Sequence, residues 1–496
     1  MGDMIAMCII CGIVIRLTSF CNRQPIMPPP LPLTRLPLTP FEEYMLVDDK
    51  PAYPMSCFNK ITLRGTFDVA VFASALEETL PYHPLLTSSV TETKGRYYWH
   101  HTGATPAIIR LPPNQPRQFP ISKGIDLFRE PALKVTICND NTHAEKITGQ
   151  TDIIFEVHHS ASDAAGNIRF IEDVLCNYAK KRGFATPRWE AVKPDLLPFR
   201  GIRGTPGKNR VIEFYFGCFR AWTFLMNRVV SLTPKKTPDL QKLPEEYPTI
   251  LCRHLTETET YTIQQKAKQF GITLNDLFLC LTFQAMKNWQ NKSRNEVQRN
   301  DGKSQQKGNL RIAVPVNLRV PEDELMPAAN IVSMVFLDRK PEKIQATQEF
   351  YQGVHEEIQH IKRYNLGWTF IRGLTIYRRI IGNFRRMMNP DRCWATATVT
   401  NLGRMFADIP LPRRAGRVQI DNDLELIGSE ASPPVRSMTA LGISVITYAD
   451  CLTVNLHYDS AVLTRDDAQM ILDAMLMDVQ IVENSRKWFS GTLSNE

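Results

Sequence analysis

The sequence predicts a mixed α/β protein, a two-layer α+β sandwich in which two consecutive halves each combine a sheet with packed helices. The chain has 496 residues, which is more than one hydrophobic core usually contains. Its composition, 43% hydrophobic and 22% charged, is typical of a soluble globular protein. Segments that alternate apolar and polar residues, as strands do, occur among segments of helical period in both halves. No close repeat relates the halves, so the predicted duplication is one of architecture.

We expect the chain to divide into four segments. These are a lead-in over residues 1–36, a first half over 37–205, a connector over 206–250 and a second half over 251–496. The lead-in begins with an apolar run over residues 4–15, which is too short to span a bilayer and has no basic residues before it. Two interpretations stay open: translation that begins at Met27, and an N-terminal membrane anchor. A Pro-rich stretch then predicts extended chain.

The first half contains several strand and helix signals. "FNKITLRGT" over residues 58–66 predicts a strand, after which Asp68 caps a helix with Phe72, Leu76 and Leu80 on one face. His83, two residues after a proline, is expected at the helix end rather than as a ligand. "ETKGRYYWHH" predicts a hairpin, and "PALKVTICND" and "DIIFEVHH" predict two more strands. "NIRFIEDVLCNYAKKRG" predicts an amphipathic helix that ends at Gly183.

The second half contains a similar mix of strand and helix signals, and it follows a connector that contains the apolar segment 211–230. Three charged residues interrupt that segment, so we expect a helix packed on the protein or facing lipid, not a membrane span. Thr273 and Asp276 have capping-box spacing at the start of a helix that runs to Trp289. A polar surface loop is predicted over residues 291–309. Strands "LRIAVPVNLR", "ANIVSMVFL", "ISVITYA" and "LTVNLHYD" follow, with a helix near residues 342–363.

Charge and cysteine content narrow the classes of function. The formal net charge of +8 is small for this length, which argues against a nucleic-acid binder but permits anionic ligands or lipid surfaces. Eleven scattered cysteines do not form a disulfide framework, so we expect reduced thiols in a cytoplasmic protein. His355 and His360 have the wrong spacing for a zinc helix. No nucleophile elbow or phosphate-binding loop is present.

A basic apolar stretch over residues 368–388 allows two interpretations. Its large apolar residues alternate with five arginines: Arg372, Arg378, Arg379, Arg385 and Arg386. Such a pattern is typical of a helix on an anionic membrane surface or on an acidic partner. It is equally typical of a helix that packs on its own domain and exposes its arginines. Peripheral membrane association therefore stays open.

The stretch "IIFEVHHSASDAAGN" over residues 153–167 is the strongest candidate for chemistry. Strand alternation places His159 on the same face as Phe155 and Val157, where the strand ends. A neutral imidazole held there can accept a proton from a bound alcohol or amine. Asp163 lies four residues later, in a turn before a helix. Spacing alone favours a purely structural histidine.

With these residues, the sequence resembles the superfamily of CoA- and carrier-protein-dependent acyltransferases. Members include chloramphenicol acetyltransferase, condensation domains of nonribosomal peptide synthetases, polyketide-associated acyltransferases and bacterial wax ester synthases. His158, His159 and Asp163 match the H-H-x-x-x-D core of that superfamily. "LPLTPFEEYM", "YHPLLTS", "GITLNDLFLCL", "VPVNLR", "AANIVSMVF", "VTNLG" and "LTVNLHYD" resemble its other segments in the correct order. The resemblance covers residues 37–485, and each motif is weak singly.

The resemblance implies two chloramphenicol-acetyltransferase-like domains with an active-site tunnel between them. His159 would be the general base for transfer of an acyl group from acyl-CoA or an acyl-carrier protein to a hydroxyl or amine, with no permanently bound cofactor and no metal. His158 would be supportive. Asp163 would form an ion pair with Arg319. Oxyanion donors would be backbone N–H groups after Asp163, or Thr400 and Asn401.

The sequence departs from the superfamily after Asp163, where a glycine is expected. Here Ala164 and Ala165 precede Gly166. An alanine methyl would narrow the tunnel, shift the turn, or mark a member without activity. A catalytically silent, condensation-like binding protein is therefore the alternative to an acyltransferase.

Overall fold

The computed structural model describes most of the chain. The described ranges are residues 35–112, 119–139, 144–184, 190–201, 210–232, 239–300, 308–385 and 387–477. The predictions for the apolar run, for a start at Met27 and for Arg386 lie outside these ranges. In helix positions 210–211 and 293–300 only the backbone is described.

A five-stranded sheet forms the first half, in the order β14-β2-β7-β6-β5. Its strands are β2 (Ser56–Asp68), β5 (Ile108–Leu111), β6 (Leu133–Cys138), β7 (Lys146–His158) and β14 (Leu424–Ser432). The β2–β7 pair is antiparallel over all 13 residues of each strand. Helices α2 (Val69–Thr79) and α3 (Ala164–Lys181) pack on one face, where Phe72 and Phe170 contact Phe155.

A six-stranded sheet forms the second half, in the order β10-β9-β11-β15-β16-β8. Its strands are β8 (Ile250–His254), β9 (Leu310–Asn317), β10 (Val332–Arg339), β11 (Ala397–Arg404), β15 (Leu441–Tyr448) and β16 (Cys451–Tyr458). The helices packed on it are α5 (Glu257–Gln269), α6 (Leu274–Asn300), α7 (Gln348–Arg363) and α9, over residues 465–477. The predicted α/β architecture with one sheet in each half is confirmed.

The remaining elements lie outside the two large sheets and the helices packed on them. The strands are β1 (Leu36–Pro37), β3 (Ser88–Thr93) and β4 (Arg96–His101), which form a small sheet, and the ribbon β12 (Arg413–Arg414) and β13 (Arg417–Val418). The helices are α1 (Pro40–Asp48), α4 (Arg210–Met226) and α8 (Trp368–Ile381), and the 3₁₀ helices Leu80–Tyr82, Pro84–Thr87, Pro194–Phe199, Pro321–Asp323 and Pro341–Lys343. α8 packs on α1 through the edge-to-face contacts of Phe370 with Phe41 and Tyr44.

The two halves interlock rather than meet at a flat boundary. β14 comes from the second half of the sequence but pairs with β2 in the first sheet. Ion pairs also cross between the halves, with Arg436 2.6 Å from Asp48 and Arg378 2.7 Å from Glu43. The cavities between the sheets therefore have walls from both halves of the chain.

Two sequence predictions need correction at their boundaries. The polar segment expected as a loop from residue 291 is helical as far as Asn300, because α6 continues through Lys, Arg, Glu and Gln, which favour helices. Residues 301–307 of that predicted loop lie outside the described ranges. The helix expected near 342–363 begins only at Gln348, where the Thr347 hydroxyl accepts a hydrogen bond from the Phe350 N–H group.

The other helix predictions are confirmed at their caps. Asp68 accepts a hydrogen bond from Val71 N–H at the start of α2, and Asp276 and Thr273 bond reciprocally at the start of α6. The apolar connector segment forms α4. Among the described residues, no helix combines the length and apolar character needed to cross a membrane.

Candidate active site

A cavity of 200 Å³ lies where the two halves meet. Its wall combines the end of β7, the first turn of α3 and residues of β2, β10, β11 and β14. Among the predicted site residues, His159, Asp163, Arg319, Thr400 and Asn401 all line it. Residues that are up to 242 positions apart in the sequence, counted from His159 to Asn401, therefore meet around one space.

His159 follows the last residue of β7 and is partly buried in the cavity wall. Its backbone N–H donates to the Met55 carbonyl at 2.7 Å, which fixes the chain beyond the strand end. Its Nδ1 lies 3.2 Å from the Ser162 carbonyl oxygen. A carbonyl can only accept, so Nδ1 carries the hydrogen and Nε2 has a free lone pair. That is the tautomer in which an imidazole serves as a base.

Burial lowers the pKa of His159 below its usual value of 6.5. The negative charge of Asp163 and the hydrogen bond to Ser162 oppose this shift without cancelling it. The imidazole is therefore neutral at neutral pH and ready to accept a proton.

His158 has a different environment, although it is adjacent in sequence. It is fully buried, and its Nδ1 accepts a hydrogen bond from Ser160 N–H at 3.2 Å. Its Nε2 is 3.8 Å from the Asp49 carboxylate, which is longer than a hydrogen bond. His158 does not line the cavity at His159, so its contacts are those of a residue that holds the loop.

Asp163 connects the two halves of the molecule. Its carboxylate caps α3 by accepting from Gly166 N–H at 2.9 Å, and it accepts from Arg319 Nη1 and Ile331 N–H, each at 2.8 Å. The expected ion pair between Asp163 and Arg319 is thus present. Because Arg319 lies beyond β9 in the second half, this carboxylate fixes the loop after His159 against the opposite half.

The segment 328–331, which precedes β10, binds this loop at several points. The Ala329 carbonyl accepts from Asp163 N–H at 3.3 Å and from Arg319 Nη2 at 3.1 Å. Asn330 Nδ2 donates to the His159 carbonyl at 2.6 Å. In the sequence "AAN" is only a weak motif, and Asn330 was not predicted as a positioning residue.

The glycine that the sequence places after two alanines has a clear structural reason. A Cβ atom on Gly166 would lie 2.9 Å from the Ala329 backbone nitrogen and 2.5 Å from Ser162 Oγ. Ala164 and Ala165 are the first helical residues of α3, without a positive φ angle. The position where the backbone of the segment 328–331 comes too close for a side chain is therefore Gly166. Ala164 fits an ordinary helix start and lines the cavity.

Thr400 and Asn401 lie on β11, beside a bulge that shifts the register with β15. Bulges commonly redirect side chains next to active sites. Asn401 Oδ1 accepts from Gly403 N–H at 2.9 Å, while its Nδ2 donates to no other described residue. The amide hydrogens are thus available to a group bound in the cavity.

Three further polar side chains line the cavity and were missed by the sequence analysis. Asn59, Asn167 and Ser333 are at most 3% exposed, and each has a buried polar atom without a partner among the described residues. Buried polar atoms normally have hydrogen-bond partners, so these are available to a bound molecule. Asn59 and Ser333 interrupt apolar strand segments, which was the only sequence signal for them.

A larger cavity of 740 Å³ continues from the one at His159. Both are lined by Pro315, Asn317, Arg319, Asn401 and Leu402. The strands β9 and β11 pair at only two positions, Ala397 with Ile312 and Thr398 with Ala313. Residues farther along both strands line this cavity. The separation of the two strands opens the second sheet toward His159.

The described residues contain no cluster of three or more His, Cys, Asp or Glu side chains suited to a metal ion. His355, considered for a zinc helix, is instead 2.7 Å from Asp276.

Comparisons with known proteins were made at three levels. No model of a protein family matches the chain, and no curated protein sequence is detectably similar to it. Solved structures do share its fold. The first condensation domain of the calcium-dependent antibiotic synthetase is 16% identical with a TM-score of 0.62, and the match covers 90% of this chain and 95% of that one.

Two more structures show the same similarity. Trichothecene 15-O-acetyltransferase from Fusarium sporotrichioides is 14% identical with a TM-score of 0.62, over 92% of this chain and 99% of that one. The starter condensation domain of rhizomide synthetase, solved with C8-CoA and Leu-SNAC, is 13% identical with a TM-score of 0.59, over 90% and 94% of the two chains. The chain therefore has the fold of these condensation domains and of this acetyltransferase, as its motifs predicted.

Proposed function

We propose that this protein transfers an acyl group from a CoA or carrier-protein thioester to a hydroxyl or amine, with His159 as the general base. The observation that carries the proposal is the hydrogen bond from His159 Nδ1 to the Ser162 carbonyl, which leaves Nε2 as an acceptor in a cavity between the halves. The shared fold with condensation domains and an acetyltransferase supports the same reaction class.

The proposed reaction needs no covalent enzyme intermediate. His159 Nε2 takes the proton of the acceptor O–H or N–H group as the acceptor atom bonds to the thioester carbonyl carbon. The C–S bond then breaks, and the proton on Nε2 passes to the departing thiolate. Candidate donors to the oxyanion are Ala164 and Ala165 N–H, at the start of α3, and the Asn401 amide. Gly166 N–H is already bonded to Asp163.

The donor and the acceptor would bind in different cavities. The 740 Å³ cavity has the exposed Lys362 on its wall, a cation that suits the anionic groups of a CoA or phosphopantetheine donor. Asn59, Asn167 and Ser333 suit a polar acceptor in the cavity at His159. The C8-CoA bound to the starter condensation domain is consistent with a CoA donor.

We also propose contact with an anionic lipid surface through α4 and α8. Tyr215, Phe219 and Trp222 on α4 are 73%, 60% and 47% exposed, and Arg372 and Arg379 on α8 are exposed as well. Aromatic and basic residues together favour membrane interfaces. Co-sedimentation with phosphatidylserine vesicles but not phosphatidylcholine vesicles, reduced in Trp222→Glu, would support this contact. Equal sedimentation of wild type and variant would exclude it.

The reaction is tested by thiol release. A panel of acyl-CoAs is combined with alcohol and amine acceptors, and the wild type is compared with His159→Ala and with His100→Ala, which changes an exposed histidine of β4. We expect release to fall by about 10²–10⁴-fold in His159→Ala and to persist in His100→Ala. Unchanged release in His159→Ala would exclude the mechanism. No release by the wild type with any pair would favour the silent binding protein.

A further inference from the structure

A third cavity, of 380 Å³, lies between α4, α8 and β10. Its wall is mainly aromatic and aliphatic, and includes Phe214, Phe224, Leu225, Phe336, Phe370 and Tyr377. This volume falls in the range of small-molecule binding sites. The wall composition indicates an apolar ligand.

The charged residues of this wall are already paired with the protein. Arg311 donates to both oxygens of Asp338, at 2.5 and 2.7 Å, and its guanidinium stacks on Phe224. Arg220 donates to Glu357 at 3.0 Å and to the Phe336 carbonyl at 2.6 Å. Because each arginine is already paired with a carboxylate of the protein, neither is available to bind an ionic ligand. A hydrocarbon chain suits such a wall better than water, which needs polar partners.

This cavity adjoins the one at His159. Met334 of β10 lines both spaces. Phe41, in the wall of the His159 cavity, contacts Phe370, in the wall of the apolar cavity, with ring centroids 6.2 Å apart. The separating wall is thus a methionine, whose unbranched side chain adapts readily, and an edge-to-face aromatic pair.

We propose that this apolar cavity binds the aliphatic chain of the acyl donor, so that the substrate is a medium- or long-chain acyl thioester rather than an acetyl thioester. The thioester carbonyl lies at His159 and the hydrocarbon passes Met334 to lie beneath α4 and α8. This assignment rests on the proposed function for the thioester, whereas the preference for a hydrocarbon chain rests on the cavity alone.

The test measures the affinity of the protein for dodecanoyl-CoA and acetyl-CoA by calorimetry. Gly373 of α8 lines the cavity, and a Cβ atom there meets no atom within 4 Å, so Gly373→Trp introduces a ring at an open position. Gly353 of α7 is equally open but lines none of the three cavities, so Gly353→Trp is the matched control. Met334→Trp obstructs the junction and is the second test variant.

We expect the wild type to prefer dodecanoyl-CoA, and each of the two cavity variants to reduce that preference about tenfold. The Gly353→Trp control should retain it. Equal affinity of the wild type for the two donors, or a preference that survives both Gly373→Trp and Met334→Trp, would overturn the inference. Chain-length selectivity for the alcohol acceptor instead of the donor would also overturn it.

These outcomes are separate from those for the proposed function. A dodecanoyl-CoA preference that both variants reduce, without thiol release in any assay, would overturn the acyl transfer and support the cavity. Thiol release that depends on His159, with equal affinity for both donors, would support the acyl transfer and overturn the assignment of the apolar cavity.

Discussion

His83 and His159 both contact the segment 328–331, yet their environments leave them with different chemistry. His83 is fully buried, and both of its ring nitrogens are used: Nδ1 accepts from Ala328 N–H at 2.9 Å and Nε2 donates to Asp173 at 2.8 Å. Among the described residues His159 has a hydrogen-bond partner only for Nδ1, and it faces a cavity. One histidine stabilises the packing of α3, while the other has a lone pair for a substrate.

The comparison shows that burial alone does not identify a base. Burial lowers the pKa of both histidines, so both are neutral at neutral pH. What distinguishes His159 is an unused acceptor nitrogen beside open space. The segment 328–331 contacts both His83 and His159. Substitutions near His83 should therefore affect mainly stability, and substitutions near His159 should also affect turnover.

The largest expected effect on stability comes from Asp163→Asn. This change removes the charge that pairs with Arg319, which is itself mostly buried, and weakens the link between the halves. Breaking a buried ion pair from one side costs about 3–5 kcal/mol in unfolding free energy, which urea denaturation would measure. Arg404→Ala breaks an exposed contact to Asp450 at 3.9 Å and should change the unfolding free energy by less than about 0.5 kcal/mol. Similar values for the two variants would show that Asp163 has no anchoring role.

A smaller effect is expected for His83→Gln. It disturbs buried hydrogen bonds to Ala328 and Asp173, which costs about 2 kcal/mol. Because the folded-state pKa of His83 is lowered, the unfolded chain binds a proton more readily, and stability is full above about pH 6.5 and decreases as the pH falls below it. The variant should show a shallower loss of unfolding free energy below pH 6.5 than the wild type. An unchanged pH dependence would contradict a neutral, buried His83.

Gly166→Ala should destabilise the protein about as much as His83→Gln. Its methyl group meets the Ala329 backbone and Ser162, so we expect a loss of about 1–3 kcal/mol. Gly353→Ala, at an open helical position, should instead be neutral or stabilising by up to about 1 kcal/mol. Thermal unfolding of the two variants measures the difference, and equal midpoints would show that α3 moves to accommodate the methyl group.

Local patterns predicted much of this fold because they depend on neighbouring residues. The cap at Asp68, the hairpin before His101 and the pairing of Asp276 with Thr273 are all set within a few positions. Neither the strand β14 nor its place beside β2 was predicted, because residues 424–432 have no strong strand pattern and only long-range packing places them in the first sheet. The division at residue 250 stays a prediction, since β14 crosses between the halves.

The candidate site was predictable only where a motif marked it. His159, Asp163 and Arg319 were identified from ordered motifs, and the structure brings them together, while their catalytic roles stay proposals. Asn59, Asn167 and Ser333 were not identified, because a polar residue in an apolar segment becomes significant only when its neighbours in space are known. Asn330 was missed for the same reason, since its partner is the carbonyl of His159.

The most direct test of His159 as the base is the pH profile of kcat/KM for thiol release. The imidazole accepts a proton only when neutral, and burial lowers its pKa, so protonation should reduce the rate only in acid. We predict a plateau at neutral pH and a decline with a midpoint below about 6.5, absent from the residual activity of His159→Ala. A rate without an acid limb, or a limb that persists in His159→Ala, would contradict the assignment of His159 as the base.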